Sequence, residues 1–275
     1  MGKWPMLDKI EMIDGPIDEK TYEDELDRLQ HRLLDLQTYH VRNGGRVIIC
    51  IDGWDAAGKG GLIERLVAGL EPKSTHVWRI GAPTEEEKGR HHLWRFWTRL
   101  PAPGNWAIFD RTWYGRVLVE RIEGFCSEEA WRRAYREINE FERQLTDDGV
   151  RLVKLLVHVS AAEQKKRMIE RLNSPHKHYK IGLEDFRNIA RRKQYLEAYD
   201  DMLERTDTDN APWHVIATDE KMHARLKGLK IVAETVGEGI DVARQTLDPA
   251  IVKAAYDLWG WTPDDARNGK KHRDK

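Results

Sequence analysis

Cysteine is scarce in this chain. Its 275 residues include only Cys50 and Cys126, too few for a disulfide framework. Cys50 sits inside an apolar run, so a reducing, cytoplasmic setting is expected. Long apolar stretches are missing as well: none approaches a membrane-spanning helix, and the N-terminus lacks a signal peptide's apolar core. Neither sign of charge is in excess, with 46 Lys and Arg facing 47 Asp and Glu. The chain as a whole is therefore not a basic binder of nucleic acid or membrane, and an anion site must come from local clustering. The remaining composition, 40% hydrophobic and 34% charged, suits one large α/β domain or two small ones with a real core.

Within that composition one segment stands out. Arg46–Asp52 is a β-branched apolar run that reads as a buried parallel strand. Gly53-Trp54-Asp55-Ala56-Ala57-Gly58-Lys59-Gly60-Gly61 follows, then Leu62–Leu70 at helical spacing. Strand, glycine-rich turn and helix with the spacing G-x-x-x-x-G-K are the context of a phosphate-binding P-loop. Gly53, Ala56, Ala57, Gly58, Gly60 and Gly61 would offer backbone N–H groups to phosphate oxygens, at the positive end of a helix dipole. Position 60 departs from the usual Ser or Thr, whose hydroxyl ligates Mg²⁺. A metal here needs carboxylates, and Asp55 lies in the loop.

The remaining pattern alternates strands and helices. Thr21–Val41 has helical spacing and stops at Gly44-Gly45. Strands are expected at Thr75–Ile80, Asn105–Asp110, Arg151–Val159 and Trp213–Ala217. One helix is expected from Pro83-Thr84 to before Pro101, and others over Val117–Ile122, Ser127–Leu145, Ala161–Leu172 and Leu183–Leu203. A last one, capped by Asp219, runs to about Val236. Residues 1–20 read as a flexible arm and 263–275 as a disordered tail. The fold class is α/β: about five parallel strands covered by helices on both faces, in one domain.

Phe109-Asp110-Arg111-Thr112-Trp113-Tyr114-Gly115-Arg116 stands where a strand ends, and open parallel sheets bind ligands beyond those ends. Asp110 is thus expected to face the loop, and Asp55 and Asp110 to hold Mg²⁺ directly or through water. Arg111 is placed to stabilise charge on a transferred phosphoryl group.

Taken together, Gly53–Gly61, Pro83-Thr84 with its acidic turn, Phe109–Arg121, Glu163-Gln164 with Arg167 and Arg171, and Ala211-Pro212-Trp213 resemble the polyphosphate kinase 2 family. The resemblance runs from about Glu23 to Leu229. It implies a P-loop kinase fold with a mobile lid, about residues 161–193. It also implies transfer of phosphate between inorganic polyphosphate and a nucleoside mono- or diphosphate with Mg²⁺. By match, Asp55, Lys59, Asp110 and Arg111 fall on functional positions, and Arg167 and Arg171 on lid arginines. Thr112 stands where Ser is usual, and Tyr179 where Trp often precedes the lid lysine, Lys180. A homo-oligomer is implied too.

Between Ala161 and Lys193 ten Lys or Arg face four acids. Arg167 and Arg171, four apart, share a helix face that can follow a chain of phosphates. Trp113–Phe125 and Leu93–Trp97 look most like the AMP-phosphorylating branch, with ADP as the alternative acceptor. An ATP-dependent nucleotide kinase fits Gly60 and the basic segment less well. A non-catalytic polyanion binder would not need the Asp55/Lys59/Asp110/Arg111 set.

Overall fold

A computed structural model describes residues 5–12, 15–242 and 247–263. The chain divides into two compact units, Met1–Ile240 and Asp241–Lys275. The first unit is built on five parallel strands: β1 (Arg46–Gly53), β2 (Thr75–Arg79), β3 (Trp106–Asp110), β4 (Val150–His158) and β5 (Trp213–Ala217). Their order across the sheet is β2-β3-β1-β4-β5, with every pairing parallel. The central strands are buried almost end to end, as expected of strands covered on both faces.

Helices α1 (Glu19–Asn43), α2 (Lys59–Ala68) and α10 (Lys221–Gly237) pack together on one face. Helices α6 (Glu128–Asp147) and α9 (Arg192–Thr206) cover the other. Alternation along β4 shows the division: Arg151 reaches the Thr235 carbonyl of α10, whereas Lys154 reaches Glu142 of α6. Lys154 and Glu142 form a fully buried ion pair, 2.8 Å apart. The Tyr114 hydroxyl and Trp113 indole both donate to Glu142, and Lys154 also donates to the Thr206 carbonyl. This satisfied network anchors the turn that follows β3.

Several elements differ from the sequence expectation. The helix expected from Pro83 to before Pro101 is two short ones, α3 (Glu85–Lys88) and α4 (Trp94–Trp97). Glu87 explains the break: it is buried, caps Thr84, and pairs with Arg95 and Arg99 from the next turns, folding the chain back. The Val117–Ile122 helix is a 3-10 turn over Trp113–Arg116 followed by α5 (Val119–Glu123). The Leu183–Leu203 helix splits into α8 (Leu183–Ala190) and α9, because Arg191 leaves helical geometry to bond Ile122 and Glu123. The segment expected to act as a lid comprises α7 (Ala161–Leu172), a 3-10 turn over Pro175–Lys180, and α8.

Among its described residues the N-terminal arm is anchored at Leu7. Leu7 is fully buried and its N–H donates to Asp200 Oδ1. In the second unit α11 (Pro249–Trp259), capped by Asp248, was not expected from the sequence. The disordered tail expected from Pro263 lies, past that residue, outside the described residues.

Candidate active site

The sheet's carboxyl rim is built from β1 and β3, which are adjacent and paired so that Ile51 faces Asp110. At Gly53 the chain must pass close to β4. A Cβ there would lie 2.1 Å from the Val157 carbonyl, and φ is +136°, so only glycine fits. Trp54 then buries its ring and donates from Nε1 to His158 Nδ1 at 2.7 Å, with the Arg192 guanidinium stacked 4.0 Å from the ring. Burial, aided by Arg192, lowers His158 to about 4, so the ring stays neutral and accepts that proton. Lys59, the first residue of α2, curls back to donate to the Gly53 and Trp54 carbonyls at 2.7 and 3.0 Å. Burial lowers its pKa, with Asp55 opposing.

Ala56 (φ 61°) and Arg111 (φ 66°) are the non-glycine residues in the left-handed region among those described. Both belong to this rim, and each carries strain of about 1–2 kcal/mol. Arg111 is fixed in that conformation by its N–H, which continues the β3 ladder to the Ile51 carbonyl. Its guanidinium approaches Asp55 Oδ1 at 3.3 Å. Burial works against that charge, but Asp55 and then Asp110 outweigh it and raise the pKa. The other Asp55 oxygen accepts from Asn188 Nδ2 at 2.6 Å, and the Tyr195 hydroxyl donates to Asn188 Oδ1. Behind them Asp52 is buried and accepts the Thr112 hydroxyl. Burial pushes Asp52 up to about 6, against the Thr112 hydrogen bond, and Asp110 adds to the rise.

Three acids, a lysine and an arginine therefore lie within electrostatic reach of one another. The carboxylates of Asp55 and Asp110 are hard oxygen donors, which suit Mg²⁺. Gly60 adds no ligand. Among the described residues no cluster of three ligating side chains forms here.

The lid cations divide unexpectedly. Arg167 was expected to face a phosphate chain beside Arg171. Instead it is buried, and all five of its N–H groups are engaged. Nε pairs with Glu163, one terminal nitrogen bonds the Ala56 and Ala57 carbonyls at 3.1 Å, and the other bonds the Thr218 and Asp219 carbonyls. It clamps the loop by its carbonyls, at the edge of the cavity. Gln164 assists by donating to the Asp55 carbonyl, and Arg192 binds Gln164 in turn. Arg171, one turn on, opens to the cavity while one of its nitrogens donates to the Lys180 carbonyl.

A cavity of about 820 Å³ covers the rim. Asp55, Lys59, Asp110 and Arg111 line it with the loop residues Ala56, Ala57, Gly58, Gly60 and Gly61 and the cations Arg167, Arg171, Lys177 and Lys180. The family model for polyphosphate kinase 2 matches residues 16–242. The chain belongs to the polyphosphate kinase 2 family. It is 43% identical over 231 residues to the polyphosphate:AMP phosphotransferase of Pseudomonas aeruginosa, covering 84% of this chain and 46% of that one. It is 39% identical to an ADP-polyphosphate phosphotransferase of the same organism, covering 77% and 70%. A polyphosphate kinase 2 crystal structure from Arthrobacter aurescens TC1 superposes with a TM-score of 0.85 at 31% identity, covering 94% of both chains. This chain thus spans a little under half the length of the first of these relatives.

In this polyphosphate kinase 2 fold the structure adds residues that sequence reading passed over. Asp52 was counted as core strand, although it directly precedes the loop. Asn188 and Gln164 carry no charge and left no signal. Arg65, Arg79, Lys221 and Arg225 line the same cavity from α2, β2 and α10, scattered too far along the chain to form a run.

Proposed function

We propose that this chain transfers a phosphoryl group from inorganic polyphosphate to a nucleotide, with AMP as the acceptor and ADP as product. The observation that carries the reading is the convergence of Asp55, Lys59, Asp110 and Arg111 on one cavity floor, roofed by lid cations. Phosphoryl transfer asks little covalent chemistry of a protein; positioning and charge stabilisation suffice. The loop N–H groups and Lys59 hold the donor's terminal phosphates. Lys59 gives up its bonds to the Gly53 and Trp54 carbonyls for phosphate oxygens, a better exchange for a charged donor. Arg111, strained and already aimed at the rim, meets charge developing on the transferred group. Arg171, Lys177 and Lys180 hold the incoming chain, while Arg167 positions the loop and touches no phosphate. The acceptor's phosphate oxygen is ionised near neutral pH, so no strong base is needed. Asp55 and Asp110 would hold Mg²⁺, which supplies charge neutralisation between donor and acceptor phosphates. Asn188 and Arg111 hold the two Asp55 oxygens and orient that carboxylate toward the rim. Closure of the lid segment excludes water that would hydrolyse the donor.

ADP is the second reading. It is favoured by the ADP-named relative, which this chain covers over 70% of its length, against 46% for the AMP-named one. Initial rates with AMP and with ADP, each with polyphosphate and Mg²⁺, decide between them. A higher kcat/KM for ADP would replace AMP as the acceptor. Absence of transfer to either, with polyphosphate still bound, would favour the polyanion-binding alternative. The same reading places the enzyme in the cytoplasm, where the free thiols Cys50 and Cys126 stay reduced, and as a homo-oligomer. No helix among the described residues is long and apolar enough to cross a membrane.

A further inference from the structure

One cluster of ligating side chains lies away from the rim and takes no part in phosphoryl transfer. His91 and His92 precede α4, and Glu137 meets them from α6. One ligating atom from each of the three lies within 4.8 Å of the others. The Nε2 atoms of His91 and His92 stand 3.5 and 2.9 Å from the same Glu137 oxygen, Oε2. Ligands about 2.0 Å from a tetrahedral Zn²⁺ stand about 3.3 Å from one another, between those two distances. The other Glu137 oxygen accepts Arg133 Nε at 2.5 Å, which orients the carboxylate and leaves Oε2 for an ion. Burial raises Glu137, but the Arg133 and His92 hydrogen bonds outweigh it and lower its pKa. Burial lowers His92 to about 4, against its Glu137 bond, so the ring is neutral at pH 7. Neutral imidazole and ionised carboxylate are the forms that ligate. Arg116 also bears on His92, but it is already paired with Glu120 at 3.0 Å. The His92 side chain is 8% exposed and fixed, whereas His91, at 52%, opens the cluster to solvent. His91 Nδ1 accepts the Leu93 N–H only at 3.4 Å, a weak bond that little opposes the tautomer with a bare Nε2.

We propose that His91, His92 and Glu137 form a Zn²⁺ site, with water as fourth ligand, that clips the segment between β2 and β3 to α6. Two imidazoles and one carboxylate with an open position suit Zn²⁺, whereas Mg²⁺ prefers oxygen alone. The site is separate from the rim, since none of the three residues lines the rim cavity. It bears on the rim through α4: Arg95 donates to the Gly81 carbonyl just past β2 and pairs with Glu87. A metal bridge between positions 91 and 137 closes a long loop, so its main effect is on stability.

The test is calorimetric titration of the full chain with Zn²⁺ in excess Mg²⁺, which keeps the rim carboxylates occupied. One Zn²⁺ per chain should bind, with Kd at or below about 10 μM. His91→Ala, half exposed and so harmless to the fold, should raise that Kd at least about tenfold, and Glu137→Gln should do the same. Co²⁺ in place of Zn²⁺ should give the visible absorption of a four-coordinate site in wild type and not in His91→Ala. Zn²⁺ should raise the thermal midpoint of wild type and leave that of His91→Ala unmoved. Zinc that binds wild type and His91→Ala alike, or binds neither, overturns the site. So does zinc lost from Asp110→Asn and kept by His91→Ala, which would put the ion on the rim. Binding without a rise in the midpoint overturns the clip. None of these readouts uses phosphoryl transfer, so the site stands or falls apart from the proposed function.

Discussion

On the rim, Asp52, Asp55, Lys59 and Arg111 are each held by a specific neighbour. From His176 to Lys180, in the lid, every side chain stands in solvent. The rim is strained, partly buried and fixed before any ligand arrives. The lid turn has few contacts and is free to adapt to one. Helix α7 shows the change within a single turn: both arginines line the cavity, but Arg167 is buried, with five bonds to fixed carbonyls and Glu163, whereas Arg171 is more open. Charge type and spacing are the same, so burial and partners assign the role. Groups that must be aimed are preorganised, and groups that must follow a polymer are left loose.

The sharpest way to break this comparison is to remove a rim charge. Lys59→Ala should lower the rate of polyphosphate-dependent transfer by about 10³-fold or more, with the thermal midpoint little changed. A well-folded variant at full rate would mean the loop lysine faces no phosphate.

The two arginines of α7 come next. Arg167→Ala should lower kcat by about 10²-fold and also lower the thermal midpoint, and Arg167→Lys should recover little, because one ammonium cannot replace a five-donor fork. Arg171→Ala should instead raise the polyphosphate KM by about tenfold with a smaller change in kcat. Equal KM effects at both positions would restore the shared-face reading and remove the distinction between rim and lid.

How much of this was legible depended on what kind of constraint wrote it. Gly53, Gly58 and Lys59 were readable because backbone clearance and loop geometry admit few residues. Asp110 was readable because parallel sheets expose their strand ends. The fate of Arg167 was not, since helical spacing places it beside Arg171 and only the tertiary approach of Ala56 and Thr218 separates them. The break at Arg191 was hidden for the same reason: its partners, Ile122 and Glu123, lie far away in sequence. Helix α11 passed unnoticed because no strand follows it to suggest another unit of the sheet. The scattered cations Arg65, Arg79, Lys221 and Arg225 form a patch only after folding.

A smaller effect separates core from rim. Lys154→Ala leaves Glu142 charged and unpaired in the interior, and should destabilise the protein by about 3–5 kcal/mol in denaturant unfolding. Loss of under about 1 kcal/mol would show that water reaches Glu142 and that the network does not anchor the Trp113–Arg116 turn.

The smallest effect is one of pH. Burial lowers His40, His92 and His158 to about 4. Between about pH 6.5 and 4 the unfolded chain binds protons that the native state refuses, so stability is lost as pH falls through that window. Asp52, raised to about 6, acts oppositely: its native state binds the extra proton, and its contribution falls as pH rises from about 4 to 6. Three groups outweigh one, so the thermal midpoint should drop on acidification. Asp52→Asn should steepen that drop, and an unchanged slope would place Asp52 in contact with water.

The central claim is that carboxylates on the strand ends and the loop lysine act on one pair of phosphates. Formation of ADP from AMP and polyphosphate in the presence of Mg²⁺, followed in wild type and in Asp110→Asn of matched thermal stability, tests it most directly. Wild type should form ADP, and the variant should do so at least about 100-fold more slowly. A variant as fast as wild type, or a wild type that forms none, would contradict it.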